Sequence, residues 1–355
     1  MGIDATPTPA ARTDAWSRRG FLGLSACAAA SAISLTGPFT GVAQAADGGP
    51  VHDSRGRRLP VGRIGIQLYS VRTDPKPFAE KLPILAELGF KEIEFAGYGS
   101  TAPSDADIRA IRRILDDNGL KAVGSHVNFN TLFSDLTRQL DIAEMLGMKY
   151  IGTANAPTGS RYQADWRIAA DQYNAVGGAA KARGLKFYQH NHDGEYNFLL
   201  DTGPLDENGR PTRSTGQRGL EYFFKLTDPE LVYFEMDIYW AYQAQVRFKT
   251  YLDEHGVTRR DNFDPIRTIS RQQERFPLFH VKDGVLNDEG TSLIMTEYGV
   301  PGGYVPFEAF FASLRSIGYH HYIWEHDNAG DTPPEQGGVY GAAKRSYDNM
   351  RATRF

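Results

Sequence analysis

Cysteine is almost missing: Cys27 is the single one in 355 residues, and it falls in an N-terminal segment that reads as removable. A chain without a second thiol forms no internal disulfide, so a stapled mini-scaffold is excluded and stability must come from a packed core, with or without a metal. An excess of positive charge is missing too. The formal net charge is −4 and no long Lys/Arg run follows the N-terminal segment, which argues against a nucleic-acid surface. No apolar run outside that segment is long enough for a membrane span. What remains is 41% hydrophobic and 23% charged, enough for a sizeable core in one large α/β barrel or two smaller domains. Aromatics are plentiful at 12%; most serve the core, and the surplus suits a carbohydrate pocket.

The N-terminus reads as an address. Ser17-Arg18-Arg19-Gly20-Phe21-Leu22 opens a weakly apolar run reaching about Leu35, and Ala43-Gln44-Ala45 supplies a small-residue cleavage site before Ala46. The paired arginines before Phe-Leu resemble the twin-arginine signal, which exports folded proteins. Residues 1–45 are therefore expected to be a signal peptide, and the mature protein to be periplasmic or secreted, with any metal loaded before transport. Leu24-Ser25-Ala26-Cys27 resembles a lipidation box but comes early in the apolar run. Residues 46–60 read as a polar linker, and residues 61–355 as the folded domain.

From Arg63 onward, β-rich runs alternate with amphipathic stretches. Strands are expected over Arg63–Val71, Lys91–Ala96, Lys121–Val127, Lys149–Ala154, Lys186–His192, Val232–Trp240, Leu278–Asp283 and Tyr322–Asp327. Helices are expected over Pro77–Leu88, from Asp105 after a Ser104 cap to Asn118, and over Leu132–Leu146, Trp166–Arg183, Pro306–Ile317 and Val339–Arg351. The polar stretch Asp201–Arg218 is expected to be a loop. Strand–helix units about 30 residues apart predict a single-domain α/β fold, a (β/α)8 TIM barrel. An open doubly wound sheet is the runner-up. It lacks its hallmark, since Ser70-Val71-Arg72 and not a glycine-rich phosphate turn follows the first strand.

Barrel active sites form where strands end and βα loops begin. Those ends carry Glu92 and Glu94; Ser125 and His126; His190, Asn191, His192, Asp193 and Glu195; Glu235, Asp237, Tyr239 and Trp240; His280, Lys282 and Asp283; and Glu325, His326 and Asp327. One histidine at a strand end is ordinary packing. Five of the nine at strand ends, alongside Asp237 and Glu325, point to a shared mouth and a divalent ion such as Mn, Co, Zn, Fe or Mg, with Mn preferred.

From about Arg63 to the C-terminus the chain resembles the sugar phosphate isomerase/epimerase family of xylose-isomerase-like barrels. The resemblance rests on GIQLYSVR, LGFKEIEFAG, HNHDGEY, EMDIYW, FHVKD and YIWEHD. It implies a metal held by His190, Asp237, His280 and Glu325. Many members carry Glu-Asn-His where this chain has His190-Asn191-His192. Family epimerases use two ligating glutamates as opposed acid and base; here only Glu325 remains for that role, and the motif is closer to inosose dehydratases and related keto-sugar lyases. Glu195 is a fallback ligand or acid. His192 suits a general base, with a pKa ordinarily near neutrality, and Lys282 can stabilise an enolate oxygen or form a salt bridge with Glu235 or Glu325 at the core rim. Trp240 and Tyr239 can stack on a sugar ring, and His126 and Glu94 are substrate contacts. Gly299, Gly302 and Gly303 shape the mouth.

The function expected is metal-dependent isomerisation or epimerisation of a sugar or keto-sugar. The alternatives are a keto-sugar or keto-inositol lyase, an exported sugar-binding protein without catalysis, and an endonuclease of the same superfamily, which the negative charge and export disfavour. The partner expected is a small carbohydrate, and self-association is left open.

Overall fold

Eight short parallel strands pair in the order β3-β2-β1-β8-β7-β6-β5-β4. They are β1 Ile64–Gln67, β2 Glu92–Phe95, β3 Lys121–Ser125, β4 Tyr150–Thr153, β5 Lys186–His190, β6 Val232–Asp237, β7 Leu278–Val281 and β8 His321–Trp324. The two ends of that order, β3 and β4, meet through a parallel bridge between His126 and Gly152. There the Val127 N–H donates to the Gly152 carbonyl at 2.8 Å. The expected (β/α)8 barrel is thus present, nearly closed. This is a computed structural model that describes residues 56–355 except Thr101. The expected signal peptide, Cys27 and the first part of the expected linker lie outside the described residues.

Each helix packs an apolar stripe on the barrel. In α1 (Phe78–Leu88) Leu82 and Leu85 are buried, and Gly89 closes the helix in the left-handed region. In α2 (Asp105–Asp117) the spacing of Ile108, Ile111 and Leu115 buries all three, each contributing about 2 kcal/mol. The Ser104 cap forms a full capping box with Asp107. The remaining helices are α3 Phe129–Ser134, α4 Leu136–Leu146, α5 Gln163–Ala182, α6 Gly219–Leu226, α7 Ile238–Arg247, α8 Pro265–Ser270, α9 Phe307–Ala312 and α10 Gly338–Ala352. Among the described residues no helix is long and apolar enough to cross a membrane.

Several expected boundaries move for identifiable reasons. β1 stops at Gln67, whose side-chain oxygen accepts the Tyr69 N–H and starts a 3-10 turn. The helix expected over Leu132–Leu146 is two helices, parted at Asp135 with φ −143°. β6 was expected to reach Trp240 on the β propensity of Ile238-Tyr239-Trp240. It ends at Asp237, because that carboxylate accepts the Trp240 N–H at 2.9 Å and caps α7. The Asp201–Arg218 loop contains an antiparallel hairpin, Thr202–Leu205 with Pro211–Arg213. Two further hairpins, Thr250–Leu252 with Thr258–Arg260 and Asp283–Leu286 with Leu293–Thr296, were not anticipated. The end of the linker joins the fold: Leu59 is buried, and the backbones of Arg57 and Phe355 exchange two hydrogen bonds of 3.1 Å.

Inside the barrel the side chains form layers. Near the strand N-termini lie Glu92 and His321, joined at 2.6 Å and bound by Arg63. Above them Val123, Tyr150, Tyr188, Leu278 and Ile323 form a separate apolar cluster. Tyr188 fits only because Gly152 has no side chain: a Cβ there would stand 2.6 Å from its ring. Polar residues return at the strand C-termini.

Candidate metal centre

His190 ends β5, Asp237 ends β6, His280 lies on β7 and Glu325 follows β8. All four are buried, and each offers a donor atom within 4.8 Å of the others. His190 Nε2 lies 3.1 Å from His280 Nδ1 and 3.4 Å from Asp237 Oδ2. Glu325 Oε2 lies 2.9 Å from His280 Nδ1. Asp237 Oδ2 is buried with the Lys282 ammonium 3.0 Å away, and His190 Nδ1 is buried without a hydrogen bond. Two imidazoles and two carboxylates converging on one point fit a borderline-to-hard divalent ion.

The electrostatics suit ligation at His190 and Glu325. At His280 burial works against the charge, but Glu235, Glu325 and Glu94 outweigh it and hold the ring well above its usual pKa, so an ion there displaces a proton. Burial, reinforced by the neighbouring imidazoles, holds His190 well below its usual pKa, so the ring is neutral with a lone pair to give. Burial pushes the Asp237 carboxyl up, against the pull of Lys282. Burial would also raise Glu325, but Lys282 and His280 outweigh it and hold it well below the usual carboxylate range. Asn191 fixes the Asp237 backbone, its side-chain oxygen accepting the Asp237 N–H at 3.2 Å.

Lys282 is buried just past β7, with its ammonium 3.0 Å from Asp237 Oδ2, 2.7 Å from Glu325 Oε2 and 2.9 Å from Asp327 Oδ1. Burial works against its charge, but these three carboxylates outweigh it and keep the proton on. The salt bridge weighed from sequence is present, and it points the charge at the donor cluster.

His192 lies beyond the end of β5, not on the strand as expected, and its side chain is 43% exposed beside the buried quartet. Its ring stands 5.1 Å from that of His190 and 5.6 Å from that of Trp240. Burial lowers its pKa, but the Glu195 carboxylate outweighs this and the net shift is upward. Glu195, weighed as a fallback ligand, instead accepts the His192 backbone N–H at 3.1 Å and stands 3.8 Å from its Nδ1. Trp240 keeps a buried, unpartnered indole N–H and lies under Lys282 Nζ at 5.5 Å.

Three expected substrate contacts are placed otherwise. Tyr239 sits on α7, 3% exposed, with its hydroxyl donating to the Leu293 carbonyl, so it anchors a hairpin. Glu94 is fully buried and receives His280 Nε2 at 2.6 Å. His126 bonds Glu235 Oε2 at 2.7 Å. His326 joins neither donor group; its backbone is tied to Ser70. From the sequence Glu235 was weighed only as a salt-bridge partner of Lys282, a contact that Glu325 makes instead. Glu235 stands two residues before Asp237 and faces the same interior, a spacing that could have exposed it. Gly299 and Gly303 lie against Asp283.

Residues 82–344 match the profile of the xylose isomerase-like TIM barrel family. The chain belongs to that family. No curated protein matches it. Among solved structures, this xylose isomerase-like barrel is similar to a sugar phosphate isomerase/epimerase from Parabacteroides distasonis, with TM-score 0.62 and 21% identity, over 85% of this chain and 98% of the other. It is similar to D-psicose 3-epimerase with D-tagatose from Clostridium cellulolyticum H10, with TM-score 0.56 and 15% identity, over 81% and 98%. A xylose isomerase-like barrel from Mycobacterium smegmatis in complex with magnesium gives TM-score 0.54 and 16% identity, over 82% and 97%. At such identities the likeness is one of fold.

Proposed function

We propose that this protein is a divalent-metal-dependent isomerase or epimerase acting on a sugar or keto-sugar through an enolate or enediolate. The observation that carries the reading is the buried quartet His190, Asp237, His280 and Glu325, with donors within 4.8 Å and a charged lysine against it. A bound divalent ion, manganese being the first to try, supplies a Lewis acid for the substrate oxygens. His192, at the exposed edge, removes the proton beside the carbonyl. Lys282 lies close to the quartet, where its fixed charge stabilises the oxygen that becomes negative. Delivery of a proton to the other face, from solvent or by way of Glu325, inverts the centre; return of the proton from His192 to the neighbouring carbon isomerises the sugar. Trp240 offers an aromatic face and an N–H to a hydroxyl-bearing ring.

A second reading, a keto-sugar lyase, is favoured by His190 standing where a second ligating glutamate would serve as the opposed acid. The same abstraction by His192 would then be followed by loss of a leaving group from the next carbon. One experiment tests both: ketoses and keto-sugars incubated in deuterated water with Mn and followed by NMR. Exchange with inversion or isomerisation supports the first reading, and an eliminated product supports the second. No exchange with any substrate, at full metal occupancy, sinks both.

A further inference from the structure

The His280 ring is faced by carboxylates at both nitrogens. Nδ1 looks up to Glu325 Oε2 at 2.9 Å and Asp237 Oδ2 at 3.9 Å. Nε2 looks down to Glu94 Oε2 at 2.6 Å and Glu235 Oε2 at 3.2 Å. A neutral imidazole has one donor and one acceptor nitrogen, so whichever nitrogen lacks the proton confronts an anionic oxygen. A proton at each nitrogen, or a cation at Nδ1 with a proton on Nε2, satisfies both sides; so do two cations, one at each nitrogen of a ring that has lost both protons.

The lower side is built for the last solution. Glu94, His126, Glu235 and His280 place donor atoms within 4.8 Å of one another, a group separate from the upper quartet except for His280. Three of the four are buried below 5% exposure, and Glu235 Oε1 is fully buried with no hydrogen-bond partner. Glu94 is steadied from outside the group: Tyr188 donates its hydroxyl to Oε1, and Gln67 donates to Oε2 at 2.9 Å. Such outer partners fix the direction of a ligating carboxylate. His126, with a side chain 11% exposed, offers the way in.

We propose that Glu94, His126, Glu235 and His280 form a second metal site, and that His280 bridges two divalent transition-metal ions through its two nitrogens as an imidazolate, its last ring proton being released to solvent when the second ion binds. Two imidazole nitrogens and two carboxylates suit zinc or cobalt in near-tetrahedral geometry. His–carboxylate contacts of 2.6 and 2.7 Å must open by roughly half an ångström to admit bonds of about 2.0–2.2 Å to a shared ion. The second ion would hold the His280 ring in place from below and neutralise two carboxylates that otherwise share the barrel interior.

The inference rests on the reading of the upper quartet as a metal centre, and the test separates the two. The chelated, metal-free protein is titrated with Co2+, followed by visible absorption, and desalted samples are analysed for metal. Two equivalents are expected for the unaltered chain, and one for Glu235→Gln and for Glu94→Gln. Glu325→Gln should instead weaken the upper ion and leave the lower one bound. With Mn2+ the unaltered chain should give the electron-paramagnetic signal of a coupled pair, and Glu235→Gln that of an isolated ion. Circular dichroism and thermal unfolding check that each variant folds; if Glu235→Gln does not, Glu94→Gln and the stoichiometry of the unaltered chain carry the test. A single equivalent, lost in Glu325→Gln and untouched by Glu235→Gln, overturns the second site and leaves the proposed function standing. No retained ion overturns both.

Discussion

Glu92 and Glu94 stand two residues apart on β2, both buried, each with a histidine nitrogen 2.6 Å away. Glu92 faces the base of the barrel and Glu94 the mouth. At the base, His321 also meets Arg63 at 2.7 Å, and none of these three groups has a buried atom left without a partner. Around Glu94 the accounting does not close: Glu235 Oε1 is buried and unsatisfied, and Lys282 is pressed against Asp237, Glu325 and Asp327. Closed networks hold a fold together; open ones of the same residue types wait for something. The apolar layer of Val123, Tyr188, Leu278 and Ile323 keeps the two apart.

If this contrast is right, mutations at the two ends should fail in different currencies. The largest effect belongs to His280→Ala: retention of metal should collapse, beyond the ~100-fold that loss of an outer partner costs, and catalysed proton exchange should vanish while the fold persists. Metal analysis and circular dichroism on the same sample check it. His192→Ala should lower proton exchange by about 100-fold or more, the scale of a general base, with metal content unchanged. If that variant loses its ion and regains exchange on adding metal, His192 is a ligand and not a base.

Glu92→Ala should do the reverse, costing about 3–5 kcal/mol of stability because it strands a buried partner. The catalytic constants of the folded fraction should stay as they were; urea unfolding and kinetics below the transition decide. The smallest effect concerns His320, also near the base, whose Nδ1–H donates to the Phe276 carbonyl at 2.7 Å. Burial lowers its pKa to about 4. A folded-state pKa below the unfolded value of about 6.5 means the stabilisation is present above pH 6.5 and is lost as pH falls toward 4, by about 2–3 kcal/mol. His320→Asn should therefore lose less stability between pH 7 and 4.5 than the unaltered chain; an equal loss would show that other groups govern the acid limb.

How much of this could be read from the chain is uneven in an instructive way. The eight strands and the convergence of His190, Asp237, His280 and Glu325 were legible because strand periodicity and strand ends are local signals. Boundaries failed where a side chain overrode propensity, as Asp237 does by capping α7 and Gln67 by turning the chain. Tyr239 looked like a stacking platform beside Trp240, but neighbours on a helix point about 100° apart, and only Trp240 faces His192. The lower donor group was hidden for a different reason. Nothing local says that Glu94, on β2, meets His280, 186 residues away; barrel closure alone brings them together.

The pairing of Arg57 with Phe355 has a practical reach. Arg57 also binds the carbonyls of Ala312 and Leu314, which lie on the approach to the start of β8, and Arg63 leads into the start of β1. Both ends of the described domain are therefore clamped at the barrel's floor, a full strand length from the mouth that holds the donor quartet. A fluorophore, bead or fusion partner joined after Phe355 would hang beneath the molecule and leave the rim clear, so the protein should tolerate immobilisation by its tail with little loss of substrate access.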